Sequence, residues 1–152
     1  AELEAKNFER FERYKIVEEN EPMWEEYMMD DAELCVVAFG IASRVAKNAV
    51  VAARKEGIKV GMIRPITLWP FPAKKMEEIS KKAKKIVVAE HNNGQILLEV
   101  ERVIKDNCKL SFLGKVDGTV ITPDEVIAAV KHTGADIICT LKNHFTIEEI
   151  VL

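Results

Sequence analysis

Three stretches of this chain carry side chains that chemistry or recognition can use. Glu90-His91-Asn92 puts a carboxylate, an imidazole and an amide side by side after an apolar run. Such groups do acid–base work when they sit at the edge of a sheet. No serine or cysteine nucleophile stands beside them, and no second carboxylate is in evident reach. The same residues have structural uses: Asn92 or Asn93 can cap a following helix, and Glu90 can satisfy loop amides. Gly40-Ile41-Ala42-Ser43-Arg44 follows another apolar run and opens a helix. Helix-start N–H groups hold anions, so Gly40, Ser43 and Arg44 are anion-binding candidates. With one glycine the stretch lacks the GxGxxG spacing of a dinucleotide fingerprint, and an ordinary N-cap is the stronger reading of Ser43. The third stretch, Arg64-Pro65-Ile66-Thr67-Leu68-Trp69-Pro70-Phe71-Pro72, presents Arg64, Trp69 and Phe71 from a backbone stiffened by three prolines. Arg64, Pro65, Trp69 and Phe71, with Glu90, His91 and Asn92, are therefore the interface or ligand-edge candidates. Leu68, Trp69 and Phe71 can instead cap the core beneath the loop.

A fainter pattern runs from Asp117-Gly118 to Asn143. It echoes the GDG…NN fingerprint in which Asp and Asn hold magnesium on thiamine diphosphate. Carboxylate and amide oxygens suit that ion, but Val116 and His144 replace two of the expected residues. Cys35, Cys108 and Cys139 are widely spaced and mostly in apolar surroundings. They form no zinc or iron–sulfur spacing, so no metal site is expected within the chain. Free thiols of this kind suit a reducing, cytoplasmic setting.

The elements that position these groups alternate regularly. Glu33–Phe39, Lys59–Ile63, Lys85–Ala89 and Lys109–Leu113 are short apolar runs that read as strands buried on both faces. Helical periodicity fills the gaps. Val45, Ala46, Ala49, Ala52 and Ala53 line Ser43–Glu56, closed by Gly57 as a left-handed cap. Pro72 opens a helix with a Met76, Ile79 and Ala83 stripe, and Ile96, Leu97, Val100, Val103 and Ile104 mark the next. Thr122-Pro123-Asp124-Glu125 is a capping box with proline at the first helical position, and Gly134 is the expected end of that helix. Strand–helix alternation with long crossovers predicts a three-layer α/β/α domain with a mainly parallel sheet of four to five strands.

That domain is expected over residues 31–134. Residues 1–30, charged and studded with Phe8, Phe11, Tyr14, Trp24 and Tyr27, read as a connecting arm that packs its rings on a neighbouring surface. Within the arm, Leu3, Phe8 and Phe11 mark a short amphipathic helix. Residues 135–152 form a tail with a candidate fifth strand, Ile137–Leu141. A net charge of -3, from 22 Lys+Arg and 25 Asp+Glu, gives no basic surface for nucleic acid. No apolar run approaches the roughly 20 residues of a membrane span, and the charged N-terminal stretch is not a signal peptide.

Four segments together resemble the C-terminal region of the alpha subunit in 2-oxoacid:ferredoxin oxidoreductases, closest to the 2-ketoisovalerate (3-methyl-2-oxobutanoate) type. They are Tyr27-Met28-Met29-Asp30-Asp31-Ala32-Glu33, Val37-Ala38-Phe39-Gly40-Ile41-Ala42-Ser43-Arg44, the string RPITLWPFP from Arg64 to Pro72, and Glu90-His91-Asn92-Asn93-Gly94-Gln95. The resemblance covers about Tyr14 to Lys131. It implies a transketolase C-terminal-like fold, core domain II of these enzymes. The parent complexes use thiamine diphosphate, magnesium and iron–sulfur clusters, with coenzyme A as co-substrate, to decarboxylate 2-oxoacids and reduce ferredoxin. The resemblance further implies that the thiamine is held outside this chain and that Glu90 is not the glutamate that activates its aminopyrimidine. His91-Asn92-Asn93 departs from the more apolar loop expected there, and residues 135–152 match nothing in the family.

The expected role is thus an accessory domain, without catalytic residues of its own, that contacts other domains and subunits of the oxidoreductase and meets ferredoxin only indirectly. The rival reading is a stand-alone small-ligand- or coenzyme A-binding α/β module whose pocket lies between the Gly40–Arg44 and Glu90–Gly94 loops. An independent thiamine enzyme is a third reading, and it would need Asp117 to hold magnesium.

Overall fold

Continuous apolar runs can be buried on both faces only if helices cover both faces, and that is the arrangement found. The structure, a computed structural model, describes residues 2–132 and, as backbone, residues 137–139. Its helices and strands follow in the order α1 (Glu2–Asn20), β1 (Trp24–Tyr27), β2 (Leu34–Ala38), α2 (Gly40–Lys55), β3 (Val60–Pro65), α3 (Ala73–Lys82), β4 (Lys85–Glu90), α4 (Gln95–Ile104), β5 (Lys109–Gly114), α5 (Pro123–Lys131) and β6 (Ile137–Cys139). The six strands form one sheet in the order β1-β3-β2-β4-β5-β6. Every neighbouring pair is parallel except β1 with β3.

Alternation along the strands divides the core in two. Val36, Ala38, Val87 and Ala89 face α2 and α5. Cys35, Val37, Ile86 and Val88 face α3 and α4. The alanines of α2, Ala42, Ala46, Ala49 and Ala53, let that helix lie close on the sheet and against α5. Met76 and Ile79 of α3 and Ile96, Val100 and Ile104 of α4 fill the other side. Lys85 is the one buried lysine among the described residues, and its Nζ donates to the carbonyls of Ala129 (2.9 Å) and His132 (2.6 Å). A cation at the C-terminal end of α5 is favoured there by the helix dipole.

The three-layer α/β/α class is the one expected, with one strand more than four to five. The extra strand is β1, which lies inside the stretch read as an arm. Its sequence Trp24-Glu25-Glu26-Tyr27 runs antiparallel along β3, pairing Glu25 with Arg64 and Tyr27 with Met62. The link from β1 to β2 passes directly over Gly61. A Cβ there would stand 2.5 Å from the Met29 sulfur and 2.6 Å from the Met28 carbonyl oxygen, so only glycine fits. The helix foreseen around Leu3, Phe8 and Phe11 extends over 19 residues and buries none of them. Helix α2 starts at Gly40 rather than Ser43, and Phe39 occupies the N-cap without a side-chain bond. Thr122 and Glu125 form the expected capping box. The Gly134 helix end and the tail beyond Cys139 lie outside the described residues.

Candidate functional site

Opposite departures of α2 and α4 from the adjacent strands β2 and β4 create a switch point at the C-terminal edge of the sheet, where open α/β sheets receive ligands. The Glu90–Gly94 loop stands there, with its side chains turned to holding the loop itself. Glu90 is fully buried (0% exposed). Its two carboxylate oxygens accept from the amides of Ile96 (3.1 Å) and Leu97 (3.0 Å) in the first turn of α4. A carboxylate is well placed at that positive helix end. Asn92 Oδ1 accepts from the amides of Gly94 (2.8 Å) and Gln95 (3.1 Å). His91 Nε2 accepts from the Ile121 amide at 2.9 Å, so in the neutral ring the proton sits on Nδ1. Glu90 thus holds helix amides rather than the loop amides expected, and Asn92 bonds the start of α4 without being its N-cap, which is Gly94.

At the start of α2, Ser43 is buried and its hydroxyl donates to the Gly40 carbonyl at 2.7 Å. Ser43 is therefore not the N-cap. Its hydroxyl turns back into the first turn, where it offers nothing to an anion. Arg44 is exposed and in no ion pair among the described residues. Beside these residues Ile41, His91 and Lys115 border an open depression of about 410 Å³. Lys115 is already engaged by Glu125 at 2.9 Å and by the Val120 carbonyl at 3.0 Å.

The proline-rich loop after β3 is organised by Thr67. Its hydroxyl oxygen accepts from the Met23 amide and donates to the Pro70 carbonyl, each at 2.8 Å. The amides of Ile66 and Thr67 reach the Met23 carbonyl at 2.9 and 3.2 Å, tying the loop to the start of β1. Held this way, Pro65, Pro70, Phe71 and Pro72 are buried, and Phe71 joins the core under α3 at 8% exposure. Leu68 and Trp69 project outward at 46% and 56% exposure. The Trp69–Pro70 peptide is cis. One ring from α1 reaches this crest: Tyr14 meets Trp69 edge-on, with centroids 5.5 Å apart. Between the end of α1 and the loop lies a groove of about 540 Å³.

Arg64 is half-buried beside β1, with one terminal nitrogen 3.4 Å from Glu25, which also faces Lys47 at 3.4 Å. Its Nε is buried without a partner among the described residues. Asp117, from the thiamine-like pattern, is exposed. The hydroxyl and amide of Thr119, at 2.7 and 2.9 Å, hold its carboxyl below the usual aspartate value. Asn143 and His144 lie outside the described residues. No three His, Cys, Asp or Glu side chains converge among the described residues as a metal site would require. The donors in view do not fit a magnesium diphosphate, and no chemical step follows from them.

Residues 32–126 match the family model for pyruvate:ferredoxin oxidoreductase core domain II. The chain belongs to that family. It is 38% identical over 136 residues to the ketoisovalerate oxidoreductase subunit VorB of Methanothermobacter marburgensis, covering 89% of this chain and 38% of that protein. It is 44% identical over 100 residues to the 2-oxoglutarate synthase subunit KorA of Methanocaldococcus jannaschii, covering 66% of this chain and 27% of that protein. The chain thus spans well under half the length of these relatives. Among solved structures, its fold is similar to a 2-oxoglutarate:ferredoxin oxidoreductase from Magnetococcus marinus bound to 2-oxoglutarate, coenzyme A and succinyl-CoA. The TM-score is 0.74 at 24% identity, over 85% of this chain and 23% of that one. A split gene transketolase shares the fold at TM-score 0.60 and 20% identity, over 71% of this chain and 40% of that one.

The chain thus shares its α/β fold with these structures, and Glu90 and Asn92 at its strand edge are engaged by amides of α4 and its approach. The proline loop is legible in the sequence, whereas the contacts that set its posture are not. Thr67 and Met23 are 44 residues apart, and no local pattern joins them. The Tyr14–Trp69 contact was equally invisible, although the wealth of rings in residues 1–30 pointed to packing somewhere.

Proposed function

We propose that this chain is the accessory core domain II of a 2-oxoacid:ferredoxin oxidoreductase and contributes contacts rather than catalytic groups. The observation that carries the reading is the crest of Leu68 and Trp69. It is exposed, yet held by Thr67 and by buried prolines on a rigid sheet edge. A large ring kept outside on a stiff support suits an interface anchor. The similarity to VorB supports a branched-chain 2-oxoacid, oxidised to its acyl-CoA with reduction of ferredoxin. Thiamine diphosphate, magnesium and iron–sulfur clusters would then be held elsewhere in the complex, in the cytoplasm. The α/β unit we assign begins at β1 rather than at residue 31, with α1 as the arm.

Reconstitution tests this. The chain alone should give no 2-oxoacid-dependent reduction of ferredoxin, and turnover should appear only when it joins the remaining domains and subunits. Turnover by the chain alone would contradict the reading.

One observation favours a ligand-binding role: the depression at the switch point beside His91, whose Nδ1–H has no partner among the described residues. Calorimetric titration with coenzyme A and nucleotides decides it. Stoichiometric binding lost in Arg44→Ala would favour this second reading.

A further inference from the structure

We infer that the groove between the end of α1 and the Trp69 crest receives a cationic side chain, lysine or arginine, from a loop of a partner subunit. The inference rests on the contact-domain reading above and names the chemistry of the contact. Trp24 and Trp69 both line the groove and are 39% and 56% exposed. Indole faces attract ammonium and guanidinium groups. Across from them stand Glu18 and Glu19 in the last turn of α1, exposed and in no ion pair among the described residues. No basic residue accompanies them in that turn. The C-terminal end of a helix is itself negative, so two carboxylates there destabilise the free helix. A cation arriving from outside relieves that repulsion.

The groove's own cations do not supply it. Lys75 is drawn to Glu26 at 2.9 Å and Glu78 at 3.4 Å, and Arg102 to Glu99 at 2.8 Å. Lys74 alone among these three has no ion pair among the described residues, against two unpaired glutamates. The lining's formal charges balance, Glu18, Glu19 and Glu99 against Lys74, Lys75 and Arg102, and the unpaired charge is Glu18 and Glu19 against Lys74. That local excess, in a groove that both tryptophans line, favours a basic segment flanked by apolar residues that cover Leu68.

The test is the affinity of the full chain for the remaining subunits of its oxidoreductase, measured across salt concentrations. Wild type is compared with the double variant Glu18→Gln/Glu19→Gln and with Trp69→Ala. The double change sits on an exposed helix end and should leave the fold intact. It should weaken assembly about tenfold at low salt and flatten the salt dependence. A pentapeptide probe, acetyl-Ala-Leu-Arg-Leu-Ala-amide, should shift the tryptophan emission, because both tryptophans of the chain line this groove. The analogue with glutamate in place of arginine should not. If Trp69→Ala weakens assembly while the double variant keeps wild-type affinity and salt slope, the contact surface stands and the cationic occupant is overturned. If neither variant matters, the contact-domain reading falls with it.

Discussion

Glu90 shows how a chemically suggestive residue can be wholly structural. A carboxylate beside an imidazole invites an acid–base reading, but both its oxygens hold α4 amides and no solvent reaches it. Glu90→Ala should leave two buried N–H groups unpaired and cost roughly 2–4 kcal/mol in a urea melt. A loss within experimental error would show that the cap is dispensable. Lys105 holds φ 51° and ψ -126°, a conformation that suits glycine. Lys105→Gly should therefore raise stability by about 0.5–1 kcal/mol despite the added chain entropy. Acid tests the surface carboxylates. Arg54 lowers the pKa of Asp31, Lys84 and Lys59 that of Glu33, and Thr119 that of Asp117. A depressed carboxylate adds stability that is present above its unfolded pKa and is lost as pH falls through its folded value. The melting midpoint should thus be flat above about pH 5 and drop below about pH 4. A midpoint that stays level to pH 3 would mean these pairs contribute nothing. Burial pushes the Cys35 thiol up to about 12, so it should resist iodoacetamide at pH 8 until the chain unfolds. At this scale the sequence was only partly readable. Glu90 and Asn92 offered two roles each, and only the position of α4 decides between them. Ser43 failed as a cap because β2 runs into α2 after a single residue, leaving the serine inside the first turn.

The elements were far more legible than the side-chain roles. Strands β2 to β5 fall within one or two residues of the apolar runs that mark them, because burial on both faces leaves an unbroken hydrophobic signature. Helices α2 to α5 carried clean stripes and, for α5, a capping box. Strand β1 escaped because an edge strand buries little and its middle residues are both glutamate. The charge density of residues 1–20 hid the length of α1, whose exposed pairs such as Lys6–Glu2 support a helix without a core. Two substitutions test the element scale. Gly61→Ala would drive a methyl into Met29 and the Met28 carbonyl, so it should cost about 1–3 kcal/mol and loosen β1 first, seen as faster amide exchange at Glu25 and Tyr27. Thr122→Ala should remove the α5 cap at about 1 kcal/mol, with the sheet unaffected. Equal exchange rates in β1 and β2 of Gly61→Ala would contradict the first expectation.

At the scale of the whole molecule, a closed α/β core carries a crest and a helix whose apolar side chains it does not bury. Leu68 and Trp69 stand on the rigid loop, and α1 adds Leu3, Phe8 and Phe11, all exposed. The core residues are buried, whereas these side chains are exposed. That asymmetry separates two kinds of aromatic substitution. Phe71 is buried against α3, so Phe71→Ala should cost about 3–5 kcal/mol. Trp69 is more than half exposed and meets Tyr14 edge-on. The most direct measurement pairs a denaturant melt of Trp69→Ala with its assembly into the oxidoreductase. A domain that works through contact should give a melt within about 1 kcal/mol of wild type and clearly weakened association with the other subunits. Severe destabilisation with normal assembly would make the crest a plug for the core and contradict that role.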